Sequence, residues 1–319
     1  YMMLHKDGAK EVFDMIELSG NPKLDLPQKI METLRPFLLS HHSSAGSIFL
    51  LSLFDDHNQV LMLPGYVNLI PLFTEKLTTA DLALDLFCQQ NQKFFDTSEM
   101  TDKTFNHAGF FHLGENQDEG FVTPRENFIM YYKNYLDNLP ITTRNVIDAL
   151  YYAFVRSHCM DLSRKKVIIL HPYSHYMTLK FHQIYPRSRV LIPFRHPVNA
   201  YVSSMKNMVL KAEMRGQRQL LNQIGYLHDL CRHVLPLANK DIDIRTWKLE
   251  DLHENPREVL QQLCRFMEIE YQSCLEESTI VGKKYWGHNP DPKVRLTGFA
   301  PEYHRRNQAR ELSRVEKII

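Results

Sequence analysis

Apolar residues fall in short blocks along this chain, and the spacing within each block says which element it builds. Phe37 to Ser40 (FLLS) is too short and too continuously apolar for a helix face, the pattern of a strand buried on both sides. Ser47 to Phe54 (SIFLLSLF) then places apolar residues all round a helix, which predicts a helix that is itself mostly buried. Gln59 to Tyr66 (QVLMLPGY) supplies a second short strand, closed by Pro64 and Gly65. A strand, a helix and a strand in that order form a β-α-β unit, which favours a parallel sheet covered on both faces.

From Leu69 to Cys159 the period is mainly helical, interrupted by the polar loop His112 to Phe121 (HLGENQDEGF). Thr123, with Glu126 three residues on and Pro124 between them, predicts a capping box opening a helix that runs to Leu136. Thr142 to His158 has the period of another helix. This block, about residues 70–160, is an insertion between sheet strands, of the kind that often holds an acceptor substrate. The strand pattern resumes in Lys165 to Pro172 (KKVIILHP), Arg189 to Phe194 (RVLIPF) and Asp241 to Trp247 (DIDIRTW). Helices are expected between them, one starting near Pro197 and a long one over 211–238, with a last helix opened by Pro256. From Gly282 onward Pro, Gly, Arg and Lys dominate, and this segment is expected to wrap the surface. No internal repeat or low-complexity tract interrupts the pattern. The expectation is one α/β domain over residues 1–319: a P-loop-like, three-layer fold with a central parallel sheet, flanking helices and a helical insertion.

Composition changes this picture little. With 319 residues, 44% hydrophobic and 24% charged, the chain can bury a sizeable core. A formal net charge of +1 gives no whole-molecule field, so no nucleic-acid partner is expected and any anion site must be a local cluster of cations. The five cysteines are scattered without a CxxC pair, which suits a reducing, cytoplasmic setting better than a disulfide framework or structural zinc. No apolar run approaches the ~20 residues a membrane span needs, and the first residues lack the basic start and apolar centre of a secretion signal.

Three constellations carry candidate chemistry. The first is the segment His41 to Phe49 (HHSSAGSIF), where small polar residues and Gly46 precede a helix. A helix start offers unpaired backbone N–H groups and the positive end of its dipole, so a phosphate can sit there if Gly46 lets the backbone approach closely. Ser47 adds a hydroxyl. The Walker A reading fails, because no Lys stands in the loop, and a tight turn without a ligand is the competing reading. In the second, RHPVNAYVS, Arg195 follows a strand and Ser203 lies eight residues on, inside the next helix. A guanidinium at a strand's carboxyl end and a hydroxyl two turns into that helix can grip one phosphate together. The third is WKLEDLHENP, a strand end followed by an acidic turn, in which Glu250 and Asp251 are read as helix-flanking acids without a chemical role.

The order of these three elements resembles the sulfotransferase family that uses 3′-phosphoadenosine 5′-phosphosulfate. In that family the first loop reads P-K/R-S-G-T/S-T, matched by SSAGSI. The second reads R-D-P-x-D-x-x-x-S, matched by Arg195, Pro197, Asn199 and Ser203. The third reads Y-E-D-L before a Pro-started helix, matched by LEDLHENP, and a G-x-x-W-G tail is similar to GKKYWG, Gly282 to Gly287. The resemblance is to a bacterial or carbohydrate-type member with a degenerate 5′-phosphosulfate loop. The resemblance covers about residues 37–319, with little of it between 70 and 160.

The resemblance implies a division of labour. Ser43, Ser44, Ala45, Gly46, Ser47 and Ile48 would surround the 5′-phosphosulfate, and Arg195 and Ser203 would hold the 3′-phosphate. Phe49, where the family often has Trp, would stack on adenine or else pack in the core. The departures lie at Ser44, in place of the loop cation, at Ile48, in place of a hydroxyl residue, and at Leu249, in place of Tyr. His41, His42 or a cation from elsewhere would then have to meet the charge that develops on the leaving group. The acceptor's proton needs a base. His171, close to where cytosolic members carry a catalytic His, is the first candidate, with His175, Glu115, Asp118 and Glu119 as competitors. A metal at His171 and His175 lacks a third ligand in the sequence pattern. The expected activity is sulfuryl transfer to a hydroxyl of a carbohydrate, lipid or small metabolite. A P-loop kinase and a non-catalytic nucleotide-binding scaffold are the rivals.

Overall fold

The computed structural model describes residues 26–40, 45–65, 67–98, 110–172, 175–196, 198–200, 203, 224–225, 228, 230–234, 236, 242–287 and 296–301. α1 (Leu26–Thr33) leads into β1 (Arg35–Leu39), α2 (Ser47–Phe54) and β2 (Val60–Met62). The helical insertion contributes α3 (Pro71–Thr74), α4 (Ala80–Gln90), α5 (Arg125–Leu136) and α6 (Thr143–Ser157). The sheet resumes with β3 (Val167–Leu170), α7 (His175–Ile184), β4 (Arg189–Phe194) and β5 (Ile244–Lys248). α8 (Leu249–Glu254) and α9 (Pro256–Met267) follow, and a hairpin of β6 (Thr279–Ile280) and β7 (Lys283–Lys284) closes the series.

The main sheet has five strands in the order β2-β3-β1-β4-β5, and every pairing in it is parallel. All five carboxyl ends therefore lie on one edge, in that order, spaced by the usual ~4.8 Å between strands. Alternation along the strands divides the core in two. Leu38, Ile168 and Leu170 face one layer with Phe87 of α4, Phe128 of α5, Leu150 of α6 and Phe181 of α7. Phe37, Leu39, Val167 and Ile169 face the other, with Leu50 and Phe54 of α2 and Leu260 and Met267 of α9. Helices thus cover both faces, the three-layer α/β arrangement that the apolar runs require.

Some boundaries differ from the sequence reading, each for a local reason. β2 ends at Met62, because Pro64 and the left-handed Gly65 (φ 59°) turn the chain away. The capping box at Thr123 does not form. α5 starts at Arg125 with Pro124 at the cap position and no side-chain cap, while the Thr123 hydroxyl lies 3.1 Å from His158 Nε2. Thr79 and Thr142 do cap α4 and α6, accepting from Leu82 N and Asn145 N. β5 runs 244–248 rather than 241–247, and its last residue leads straight into α8. Of the long helix expected over 211–238, most lies outside the described residues, and Leu230–Val234 is a π-helical turn. No helix among the described residues is long and apolar enough to cross a membrane.

Candidate functional site

The strand carboxyl edge brings the Gly46 turn, Arg195 and His171 into one row. At the end of β1 the chain passes through Ser40 to Gly46, which caps α2 in the left-handed region (φ 84°, ψ 21°). The Gly46 carbonyl accepts the first helical bond from Leu50 N, so the amides of the first turn of α2 have no intrahelical acceptor. The left-handed φ favours glycine at Gly46, and a Cβ there would lie 2.5 Å from Leu249 Cδ1, so the Leu249 side chain would have to shift. Ala45, Ser47 and Ile48 are buried around this turn. His41, His42, Ser43 and Ser44 lie outside the described residues.

The second turn follows β4. Arg195 is half-buried at the strand's end, Asn199 is buried in the helical turn after it, and Ser203, also helical, is half-buried. Glu250 holds this turn: its Oε1 accepts from His196 N at 3.2 Å and from Asn199 Nδ2 at 3.0 Å. Burial alone would raise the Glu250 carboxyl, but the bonds from Asn199 and His196 and the charge of Arg195 outweigh it and hold the group below the usual carboxylate range. Leu249 and Glu250 are consecutive, and one reaches the Gly46 turn while the other reaches the Arg195 turn. The start of α8 therefore joins both turns on the same side of the sheet.

Phe49 is half-buried, lies flat on His253 (centroids 4.6 Å apart, planes 7° apart) and meets Phe299 edge-on at 5.7 Å. His253 Nδ1 accepts from Ala300 N, so the 296–301 segment is pinned beside the loop helix.

The candidate bases separate. His171 stands at the carboxyl end of β3, between the β2 end and the Gly46 turn, and is buried. Burial drives its pKa down to about 4, opposed by a hydrogen bond to the Gly65 backbone, so the ring is neutral at physiological pH. His175 is completely buried, with Nδ1 2.5 Å from Ser40 Oγ, and Thr178 Oγ1 donates to the same Ser40 oxygen at 2.8 Å. This trio ties the end of β1 to α7. Glu115, Asp118 and Glu119 sit on an exposed loop. Glu115 pairs with Lys284 and Glu119 with Lys283, each at 2.8 Å, so these two acids bind the hairpin. No group of three His, Cys, Asp or Glu side chains placed to hold a metal occurs among the described residues.

Sequence reasoning missed Glu250 and His253. The available signal for Glu250 was its place, directly after a strand end in the row that carries the other candidates. His253 gave none, since only the fold brings it against Phe49.

An all-parallel sheet with helices on both faces, a glycine turn after the central strand and an arginine turn after its neighbour define an α/β fold of the P-loop-like kind. Among solved structures it is similar to the sulfotransferase domain of the olefin synthase from Synechococcus PCC 7002, with a TM-score of 0.55, 16% identity and coverage of 89% of this chain and 90% of that one. The sulfotransferase domain from the curacin biosynthetic pathway gives a TM-score of 0.51 at 17% identity, covering 88% of this chain and 92% of the other. The chain has the sulfotransferase fold. No protein-family model and no curated protein matches the sequence.

Proposed function

We propose that the protein is a sulfotransferase that moves a sulfuryl group from 3′-phosphoadenosine 5′-phosphosulfate to a hydroxyl of a carbohydrate, lipid or small metabolite, in a cytoplasmic setting that its five free thiols suit. The observation that carries this reading is the bridge made by Leu249 and Glu250 between the Gly46 turn and the Arg195 turn. What supports the nucleotide is the left-handed Gly46 turn, the α2 amides without an intrahelical acceptor beside it, and Arg195 one strand over. When bound, the nucleotide supplies the sulfuryl group. The α2 amides and Ser47 hold its phosphosulfate end, Arg195 and Ser203 hold the 3′-phosphate, and Phe49 borders the adenine. His171, neutral and next along the sheet edge, receives the acceptor's proton. Positioning and charge complementarity carry the rest, as in phosphoryl transfer.

A second reading, a nucleotide-binding protein without turnover, rests on two observations: Ala45 to Ile48 contain no cation, and the ring of His171 is a weak base. Thermal unfolding with adenosine 3′,5′-bisphosphate, with Mg-ATP and with no ligand tests the assignment. The bisphosphate is expected to stabilise selectively, and Arg195→Ala to remove most of that shift, since a charged hydrogen bond is worth about 1.5 to 3 kcal/mol. Stabilisation by Mg-ATP alone would point to a kinase, and no shift would sink the nucleotide site. Binding without sulfuryl transfer to any hydroxyl acceptor would leave the second reading standing.

A further inference from the structure

The carboxyl edge continues past His171 to β2, where a cavity of about 230 Å³ opens. Phe94, Phe110 and Phe121 form its apolar lining, and Pro64 and Val67, which follow β2, contribute one wall. Between those two residues Gly65 takes φ 59°, and a Cβ there would lie 1.9 Å from Phe110 Cζ. The Phe110 ring therefore packs directly on the backbone that also hydrogen-bonds His171. One glycine thus joins the aromatic lining to the candidate base.

Lys93 also lines the cavity. It is half-buried, burial lowers its ammonium pKa, and no carboxylate among the described residues opposes the shift. Its neighbours in the wall, Gln89, Gln90 and Gln92, are neutral. Asn91 is already committed, donating to the Asn68 and Phe87 carbonyls. A half-buried cation in a lining that is otherwise apolar or neutral leaves the cavity complementary to an anion. We propose that this cavity receives the non-reacting end of the acceptor and that Lys93 pairs with a carboxylate there, which makes the acceptor a hydroxy acid with an apolar body long enough to reach the Gly46 turn. A cavity of about 150 Å³ takes up benzene, so this one accommodates a ring or a short branched chain beside the charged group. β2 lies two strand spacings from β1, roughly 10 Å, so a molecule reaching from the cavity to the Gly46 turn passes His171.

This assignment rests on the sulfotransferase reading, and the test separates the two. A panel of aromatic and alicyclic hydroxy acids of increasing length, each paired with its methyl ester, is titrated by calorimetry into the wild type, Lys93→Met and Lys93→Arg. Affinity for adenosine 3′,5′-bisphosphate is measured on the same samples. The wild type is expected to prefer at least one acid over its ester by tenfold or more, on the order of a charged hydrogen bond. Lys93→Met should abolish the preference and Lys93→Arg retain it, with bisphosphate affinity unchanged in both. If no acid binds better than its ester, or if Lys93→Met keeps the preference, the cavity assignment is wrong even when the bisphosphate binds. An acid preference that tracks Lys93 in a protein that ignores the bisphosphate would keep the cavity assignment and discard the sulfotransferase reading.

Discussion

A neutral imidazole walled off from water gives this protein a pH signature. The His171 pKa is about 4 in the folded chain, against about 6.5 when exposed. Between those values the unfolded chain binds one more proton, so stability falls as pH drops through the window, by about 1.4 kcal/mol per unit and roughly 3 kcal/mol in all. Asp148 acts with the opposite sign. Burial raises its carboxyl to about 6, against the bonds from Tyr185 and Arg144, so its contribution is present at low pH and is lost as pH rises toward 6. The two slopes oppose each other, and a substitution is needed to resolve them. Urea unfolding of His171→Asn against wild type is expected to move in the variant's favour as pH is lowered from about 7 to about 4.5. A constant difference would mean that the ring is not buried neutral. If His171 is the base, the same variant should lose sulfuryl transfer while keeping bisphosphate affinity. At this scale Arg195 was legible in the sequence, because a charge directly after an apolar strand has few places to go. Glu250 was not, because an acid at a helix start is common and only its partners distinguish it.

Among the elements, the turn from β1 into α2 is the most constrained. Gly46→Ala forces a side chain into the left-handed region, which costs roughly 1 to 2 kcal/mol, and its Cβ would meet Leu249, itself buried at the start of α8. The urea midpoint is expected to fall by at least the backbone amount, and bisphosphate affinity to fall further, since displacing Leu249 disturbs the joint between the two turns. An unchanged affinity would show that the joint is not needed. β1 and β4 were legible because continuous apolar runs belong to strands buried on both faces, and Phe37, Leu38 and Leu39 are all fully buried. The Thr123 capping box was misread because a capping pattern records local options only. A histidine thirty-five positions away in sequence lies against that hydroxyl instead.

At the scale of the whole molecule, periodicity revealed that helices cover the sheet but not which loops meet at its edge. The row formed by the β2 cavity, His171, Gly46 and Arg195 follows from strand order, which depends on crossovers that carry no apolar signature. Strand order also explains why the helical insertion, about residues 70–160, contributes most of the cavity's lining. The far end of α2 has a counterpart in this arrangement. Its Ser52 meets Ser278, and Asp55 just beyond it accepts from Thr279 Oγ1 and Gly282 N. The hairpin held there donates Trp286 Nε1 to Gly114 O and the two lysines to Glu115 and Glu119, on the loop that ends at Phe121. One short helix therefore has the Gly46 turn at its head and, through the hairpin, the cavity wall at its foot. Ligation at one end is expected to slow amide hydrogen exchange at the other: bisphosphate should protect residues 110–121, and Asp55→Ala should confine that protection to the head. The helix would then act as a tie-rod, making affinity at its head and at its foot reciprocal through the fold itself.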